Sequence, residues 1–283
     1  MPCNSFPPKY EKLWNQEEYA WFRDAYGQLE RFSSGRLIIE PFEVVEAVEH
    51  HRRFWRPDQT RVLLLGESHV FTQPGEARHI KWLGNYAHIL CNDQFISSLP
   101  DQFVRFVYCM AYGENDALLD YSKTGKNFGT PQYWKLFYSC CNAISGPEYF
   151  APILKTKTPT YDRLSNKLSL LQELKRRGVW LMDASIIGLY NPLAKKPPPA
   201  AFDFVLRCCW RYYVGRMILK SAPRHIVVIG KGVYNTLRSQ IDFLAEGVGC
   251  HVTIISQPQA HLSSAEQYEQ YALLNKICSS DAS

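Results

Sequence analysis

A chain of 283 residues with 46% apolar residues, 14% aromatics and a formal charge of +5 can bury a sizeable core. That composition excludes a largely disordered chain, and no apolar run approaches the ~20 residues that a membrane helix needs. The mild basic excess permits an anionic partner without demanding one, because an electrostatic footprint depends on clustering.

The nine cysteines are scattered and form no Cys-x-x-Cys, so the usual spacing of a zinc or iron–sulfur site is missing. Two adjacent pairs, Cys140-Cys141 and Cys208-Cys209, read as small buried hydrophobes inside helical patterns. The start, Met1-Pro2-Cys3-Asn4, has neither the basic nor the apolar region of a secretory signal. The expectation is an intracellular protein, cytoplasmic or nuclear. It is expected to be a monomer without metal, cofactor or membrane contact.

In chain order, residues 10–32 show an amphipathic helical pattern through Tyr10, Leu13, Trp14, Tyr19, Phe22, Tyr26 and Leu29. A second helix is predicted over 41–55, with Pro41 at its start and Arg52, Arg53 and Arg56 in a last turn that would complement the helix dipole. The run Val62-Leu63-Leu64-Leu65 then releases into Gly66-Glu67-Ser68-His69. Between Thr72 and Leu164, helices are predicted over 76–91, 101–112 and 131–144. The stretch Ser122–Asn127 reads as a solvated loop, because no strand precedes it and Walker spacing is absent. A helix over 164–177 ends at Arg176, Arg177 and the capping Gly178.

Val179-Trp180-Leu181-Met182 leads into Asp183-Ala184-Ser185, and Lys195-Lys196-Pro197-Pro198-Pro199 is a stiff basic connection. A long helix over 201–220 carries Arg207, Arg211, Arg216 and Lys220. Ile226-Val227-Val228-Ile229 precedes Gly230-Lys231-Gly232 and a helix over 232–245. Val252-Thr253-Ile254-Ile255 precedes Ser256-Gln257-Pro258-Gln259 and a final helix over 264–278.

Four near-continuous apolar runs separated by helices read as strands buried on both faces, joined by right-handed crossovers. The predicted fold is α/β: a three-layer α/β/α domain over 1–283 with a central, mainly parallel four-stranded sheet. A helical extension (1–58) and a helical insertion (73–163) are added to it. Open sheets of this kind bind ligands beyond the carboxyl ends of their strands. The polar residues of those turns, Glu67, Ser68, His69, Asp183, Gln257 and His261, are therefore the candidate site.

The order of these turns resembles the uracil-DNA glycosylase superfamily over roughly 60–66, 171–192, 202–237 and 251–264. There a strand delivers a motif such as Gly-Gln-Asp-Pro-Tyr-His or Gly-Glu-Ala-Pro-Gly, matched here by Gly66-Glu67-Ser68-His69-Val70-Phe71. The segment that ends in Leu-Leu-Asn is matched by Glu173–Asp183, and the final His-Pro-Ser by Gln257-Pro258-Gln259, with His261 two residues on. Ser68 stands where one branch has an aspartate, and Glu67 matches the glutamate of another. Asp183 replaces the base-reading asparagine, and Gln257 the final histidine.

The resemblance implies a DNA-binding protein that flips a base into a pocket and hydrolyses its N-glycosidic bond. Glu67 would activate water or stabilise an oxocarbenium-like sugar, or simply accept backbone amides. His69 and Gln257 would donate to the leaving group or a phosphate, with His261 replacing the donor lost at Gln257. Gly66, Ser68, Phe71 and Asp183 would surround the base, Phe71 by stacking. Lys231 would contact the DNA backbone, helped by Arg207, Arg211 and Lys195-Lys196. Ser263 and Ser264 would contact phosphate or cap the last helix with Glu266 and Gln267.

Asp183 is also open to structural pairing with a partner such as an arginine. An ionised carboxylate there would disfavour uracil and suit an amino-bearing base. Two other readings stand beside this one. The first is a non-catalytic nucleic-acid or nucleotide-binding protein on the same scaffold. The second is a hydrolase whose Glu67 and His69 form a Gly-Glu-x-His motif, similar to the first motif of erythromycin-esterase-like proteins.

Overall fold

The computed structural model describes residues 11–33, 37–76, 78–80, 98–119, 131–190, 197–258 and 260–279. The four apolar runs form the strands β1 (Val62–Gly66), β2 (Val179–Asp183), β3 (His225–Ile229) and β4 (His251–Ile255). They make one all-parallel sheet in the order β2-β1-β3-β4, flanked by helices as a three-layer α/β/α fold. The register pairs Gly66 with Asp183, and Val228 with both Leu65 and Ile254. The carboxyl ends of the strands therefore finish level with one another.

Burial explains why the runs are strands. Leu63, Leu64 and Leu65 have 0% exposure, and fully burying each such side chain contributes about 1.5–3 kcal/mol. The two sheet edges differ. β2 is buried throughout, and its Leu181 N–H donates to the Tyr108 hydroxyl at 2.9 Å, so the insertion covers that edge. β4 departs from the expectation of burial on both faces, with Ile254 41% exposed at the other edge.

Among the described residues, the α-helices longer than one turn are α1 (Gln16–Ser33), α2 (Phe42–Phe54), α3 (Pro131–Cys141), α4 (Thr160–Arg176), α5 (Pro199–Cys209), α6 (Gly215–Ser221), α7 (Lys231–Val248) and α8 (Ser264–Ser279). The single helix predicted over 201–220 is α5 and α6 joined through a π-helical turn, Trp210–Val214. That turn carries the buried Tyr213, which donates to Glu49 and accepts from Arg53 Nη2 at 2.8 Å. Gly178 follows α4 at φ +72°, where a Cβ would come within 2.7 Å of the Gln59 carbonyl. Only glycine fits that close approach in the left-handed region.

Residues 101–112 are turns, not a helix. Phe103, Val104 and Phe106–Tyr112 are all buried, so the segment has no polar face to offer water. Its backbone bonds run elsewhere: Val70 N–H donates to Arg105 O at 3.1 Å, and Phe103 N–H to Arg78 O at 2.7 Å. Arg52 and Arg53 lie in the last turn of α2 as predicted, but they are buried there, 2% and 4% exposed. Arg53 bonds Glu18 at 2.5 Å and Glu49 at 3.2 Å, which ties α1 to α2 beneath the sheet. Most of the helix predicted over 76–91 lies outside the described residues, as do Ser122–Asn127 and Lys195-Lys196. Within the described part, Pro74–Glu76 is a single 3-10 turn.

Candidate functional site

The chain leaves β1 for β2 on one side, then crosses to β3 on the other, so the crevice beyond β1 and β3 is a topological switch point. Open α/β sheets bind ligands at such points. A cavity of about 340 Å³ opens there, near the lower end of the ~300–1,000 Å³ range of small-molecule sites. Glu67, Ser68 and His69 from the β1 turn, Asp183 from the end of β2 and Gln257 beyond β4 all line it. The residues predicted at three separate strand ends therefore meet in one place.

Glu67 is held by neutral donors. Its Oε1 accepts from the Tyr190 hydroxyl at 2.6 Å and its Oε2 from Gln257 Nε2 at 3.0 Å. No cation pairs with it among the described residues. Gln257 reaches this carboxylate because Gly230 at φ +110° leaves room: a Cβ there would lie 2.9 Å from Gln257 Cγ. Burial and then the Glu67 contact raise the Tyr190 pKa, so its hydroxyl stays a donor.

Asp183 is held differently. Its Oδ2 accepts from Arg52 Nη2 at 2.8 Å, both side chains being 3% exposed. Of the two alternatives for Asp183, pairing with an arginine is the one observed. Burial pushes the Asp183 carboxyl up from its ordinary pKa, while Arg52 and His69 oppose the shift. Oδ1 makes no hydrogen bond among the described residues. It lies where a Cβ on Gly66 would approach it to 2.7 Å, so Gly66 supports the site by having no side chain.

His69 departs from its predicted role as a donor to an anion. Its Nε2 lies 2.8 Å from Glu40 Oε2, with both side chains fully buried. Glu40 also accepts from the Thr72 amide at 2.6 Å and the Gly188 amide at 2.7 Å. Facing a carboxylate oxygen, Nε2 carries a hydrogen and donates it to Glu40. Nδ1 has no partner among the described residues.

Neither the protein-family models, nor the curated proteins, nor the solved structures give a match to this chain. The site is therefore read from its own geometry.

The insertion builds the opposite wall. Arg105, Phe106, Val107 and Tyr112, with Tyr133 of α3, line the cavity. Phe106 lies under the Arg52 guanidinium, 4.8 Å from its ring centre. The hydroxyls of Tyr112 and Tyr133 make no hydrogen bonds among the described residues. Burial raises the pKa of both, and Asp183 and Glu67 add to the shift at Tyr133, so both hydroxyls remain donors. The aromatic density of 103–112 was the available signal, hidden by its resemblance to a helix.

Other predicted residues lie elsewhere. Phe71 is buried, packs its backbone against Gly188 and does not line the cavity, whereas Phe106 does. His261 is exposed and does not line the cavity, so it does not supply the donor missing at Gln257. Ser263 caps α8, accepting from the Glu266 amide at 3.3 Å and donating to its carboxylate at 2.7 Å. Lys231 is exposed at the start of α7 and likewise does not line the cavity. Among the described residues, no group of three or more His, Cys, Asp or Glu could hold a metal ion, and no helix is long and apolar enough to cross a membrane.

Proposed function

We propose that the protein hydrolyses the N-glycosidic bond of a deaminated or otherwise damaged base in DNA, with the extruded base seated in this cavity. The observation that carries the reading is Glu67, a carboxylate that lines the cavity at the topological switch of the sheet and that no cation pairs with among the described residues. A carboxylate held by neutral donors keeps its charge available to a ligand. Glu67 takes a proton from water as the hydroxide adds to the anomeric carbon. The C–N bond breaks with its electron pair going to the base, and the proton passes to the base nitrogen. The hydroxyls of Tyr112 and Tyr133, which have no partner among the described residues, donate to the charge that develops on the leaving base. Phe106 offers a face for stacking.

The rival, a non-catalytic nucleic-acid binder, draws support from Gln257. Its amide is committed to Glu67 and carries no positive charge for the leaving group. Glu67→Gln separates the two readings, since it keeps the side chain's shape and removes its charge. On oligonucleotides carrying deaminated and alkylated bases, wild-type excision should fall by at least about 10²–10³ in rate in the variant. The melting temperature should stay unchanged. An inactive wild type that still binds the same oligonucleotides favours the non-catalytic reading.

A further inference from the structure

Four aromatic side chains, Phe106, Tyr112, Tyr133 and Tyr190, line the cavity together with Glu67. The other charged groups of the lining are matched by neighbours. Asp183 is paired with Arg52, and Arg105, the only lysine or arginine in the lining among the described residues, is paired with Glu76. Glu67 accepts from the Tyr190 hydroxyl and the Gln257 amide, and no cation meets it among the described residues. The lining therefore carries one negative charge in excess, set among aromatic rings. Such rings attract a cation lying over their faces, more strongly where water is excluded, and a carboxylate without a counter-ion adds to the attraction.

We infer that the cavity takes a positively charged heterocycle, so that the damaged base of the proposed reaction is a purine alkylated at a ring nitrogen. The neutral amide at Gln257 points the same way. A neutral base leaves as an anion and calls for a cationic or acidic donor, whereas Gln257 offers an uncharged amide already committed to Glu67. A cationic base leaves as a neutral molecule. Water adds its oxygen to the anomeric carbon, and the C–N electron pair returns to the ring and cancels its charge. The water proton passes to Glu67 and then to solvent. No anion develops, so no cationic donor is required.

The identity of the substrate rests on the proposed hydrolysis, while the preference for a cationic ring does not. The binding probes are N-methylquinolinium and 4-methylquinoline, fused rings of equal size that differ in charge at neutral pH. Each is titrated into the full chain by calorimetry. The cation is expected to bind at least about tenfold more tightly. Glu67→Gln should bring that ratio toward unity. Tyr190→Leu removes an exposed ring and should lower the ratio by about two- to fivefold, while Tyr190→Phe keeps the ring and should retain most of it.

Excision is measured beside binding on duplexes that contain 7-methylguanine or uracil, each corrected for spontaneous loss. The alkylated base is expected to be released at least about tenfold faster. Equal binding of the two probes, no binding of either, or a ratio unmoved in both Glu67→Gln and Tyr190→Leu would overturn the cationic preference. Uracil released as fast as 7-methylguanine would overturn the substrate assignment and leave the hydrolysis standing. Cation-selective binding without release of any base would sink the hydrolysis and leave the preference standing.

Discussion

The turns after β1 and β2 end side by side and each delivers a carboxylate to the same cavity, yet the two carboxylates are in opposite situations. Asp183 leans on a buried arginine, and burial has pushed its pKa up. Glu67 leans on a tyrosine hydroxyl and a glutamine amide, both neutral. A carboxylate paired with a cation beneath the wall is part of the framework, because its charge is already compensated. One held by neutral donors keeps its charge for whatever enters. Adjacent strand ends have thus produced one residue that shapes the site and one that is free to act.

The largest effect should come from breaking the framework pair. Removing one partner of a buried ion pair leaves a charge without compensation, at a cost of about 3–5 kcal/mol. Arg52→Met should lose about that much stability in a denaturant titration. Asp183→Asn should lose less, since Arg52 keeps Glu49. The double variant should be more stable than the sum of the single losses predicts, because the two side chains touch. Additive losses would show that the 2.8 Å contact is not an energetic pair.

Glu67→Gln should do the reverse. It should lose activity by at least about 10²–10³ and change stability by no more than about 0.5 kcal/mol. A large loss of stability in that variant would make Glu67 a second framework carboxylate and erase the contrast between the turns.

Why one carboxylate was legible in the chain and its neighbour's partner was not follows from sequence distance. Each strand was visible as a short apolar run, and the polar residues beyond it, Glu67, Ser68, His69, Asp183 and Gln257, were found because strand ends are where such sheets bind ligands. What holds those residues was invisible. Arg52 stands 131 positions from Asp183, and Tyr190 stands 123 from Glu67. Arg52, Arg53 and Arg56 also have a local explanation in the helix dipole, which concealed the tertiary one. Residues 101–112 failed for a related reason. Their apolar density suits a helix, but long-range bonds to 70, 72 and 78 override local propensity. Phe71 and His261 were placed in the site by adjacency in sequence, and the chain turns away from the cavity at both.

A smaller effect appears in acid and bears on the framework side alone. His50, two residues before Arg52, is buried, and its pKa is pushed down to about 3, first by burial and then by the neighbouring His51 and Arg53. The folded value lies below the ordinary 6.5, so the unfolded chain binds the proton more readily. The stability contributed by the neutral ring is complete above pH 6.5 and is lost progressively as pH falls toward 3. The slope is at most about 1.4 kcal/mol per pH unit. Denaturant titrations between pH 7 and pH 5 should show that decline in wild type and a flatter one in His50→Gln. An equal decline in both would assign the acid sensitivity to other groups. If excision is lost in acid at the same pH in both proteins, the loss belongs to the Glu67 side of the cavity.

The smallest effect tests what a neutral donor contributes. Tyr190 is 40% exposed and donates to Glu67 at 2.6 Å. Tyr190→Phe removes one hydroxyl and leaves the ring. Because water can replace a donor at an exposed position, the cost in stability should be no more than about 0.5–1.5 kcal/mol. Glu67 would keep its bond from Gln257 but gain freedom to rotate, so the excision rate should fall by about tenfold, with KM for the oligonucleotide nearly unchanged. A rate loss as large as that of Glu67→Gln would mean that the hydroxyl takes part in the proton transfer itself. No loss at all would mean that Gln257 alone is enough to aim the carboxylate. In either case no cation pairs with Glu67 among the described residues, and that separates it from Asp183.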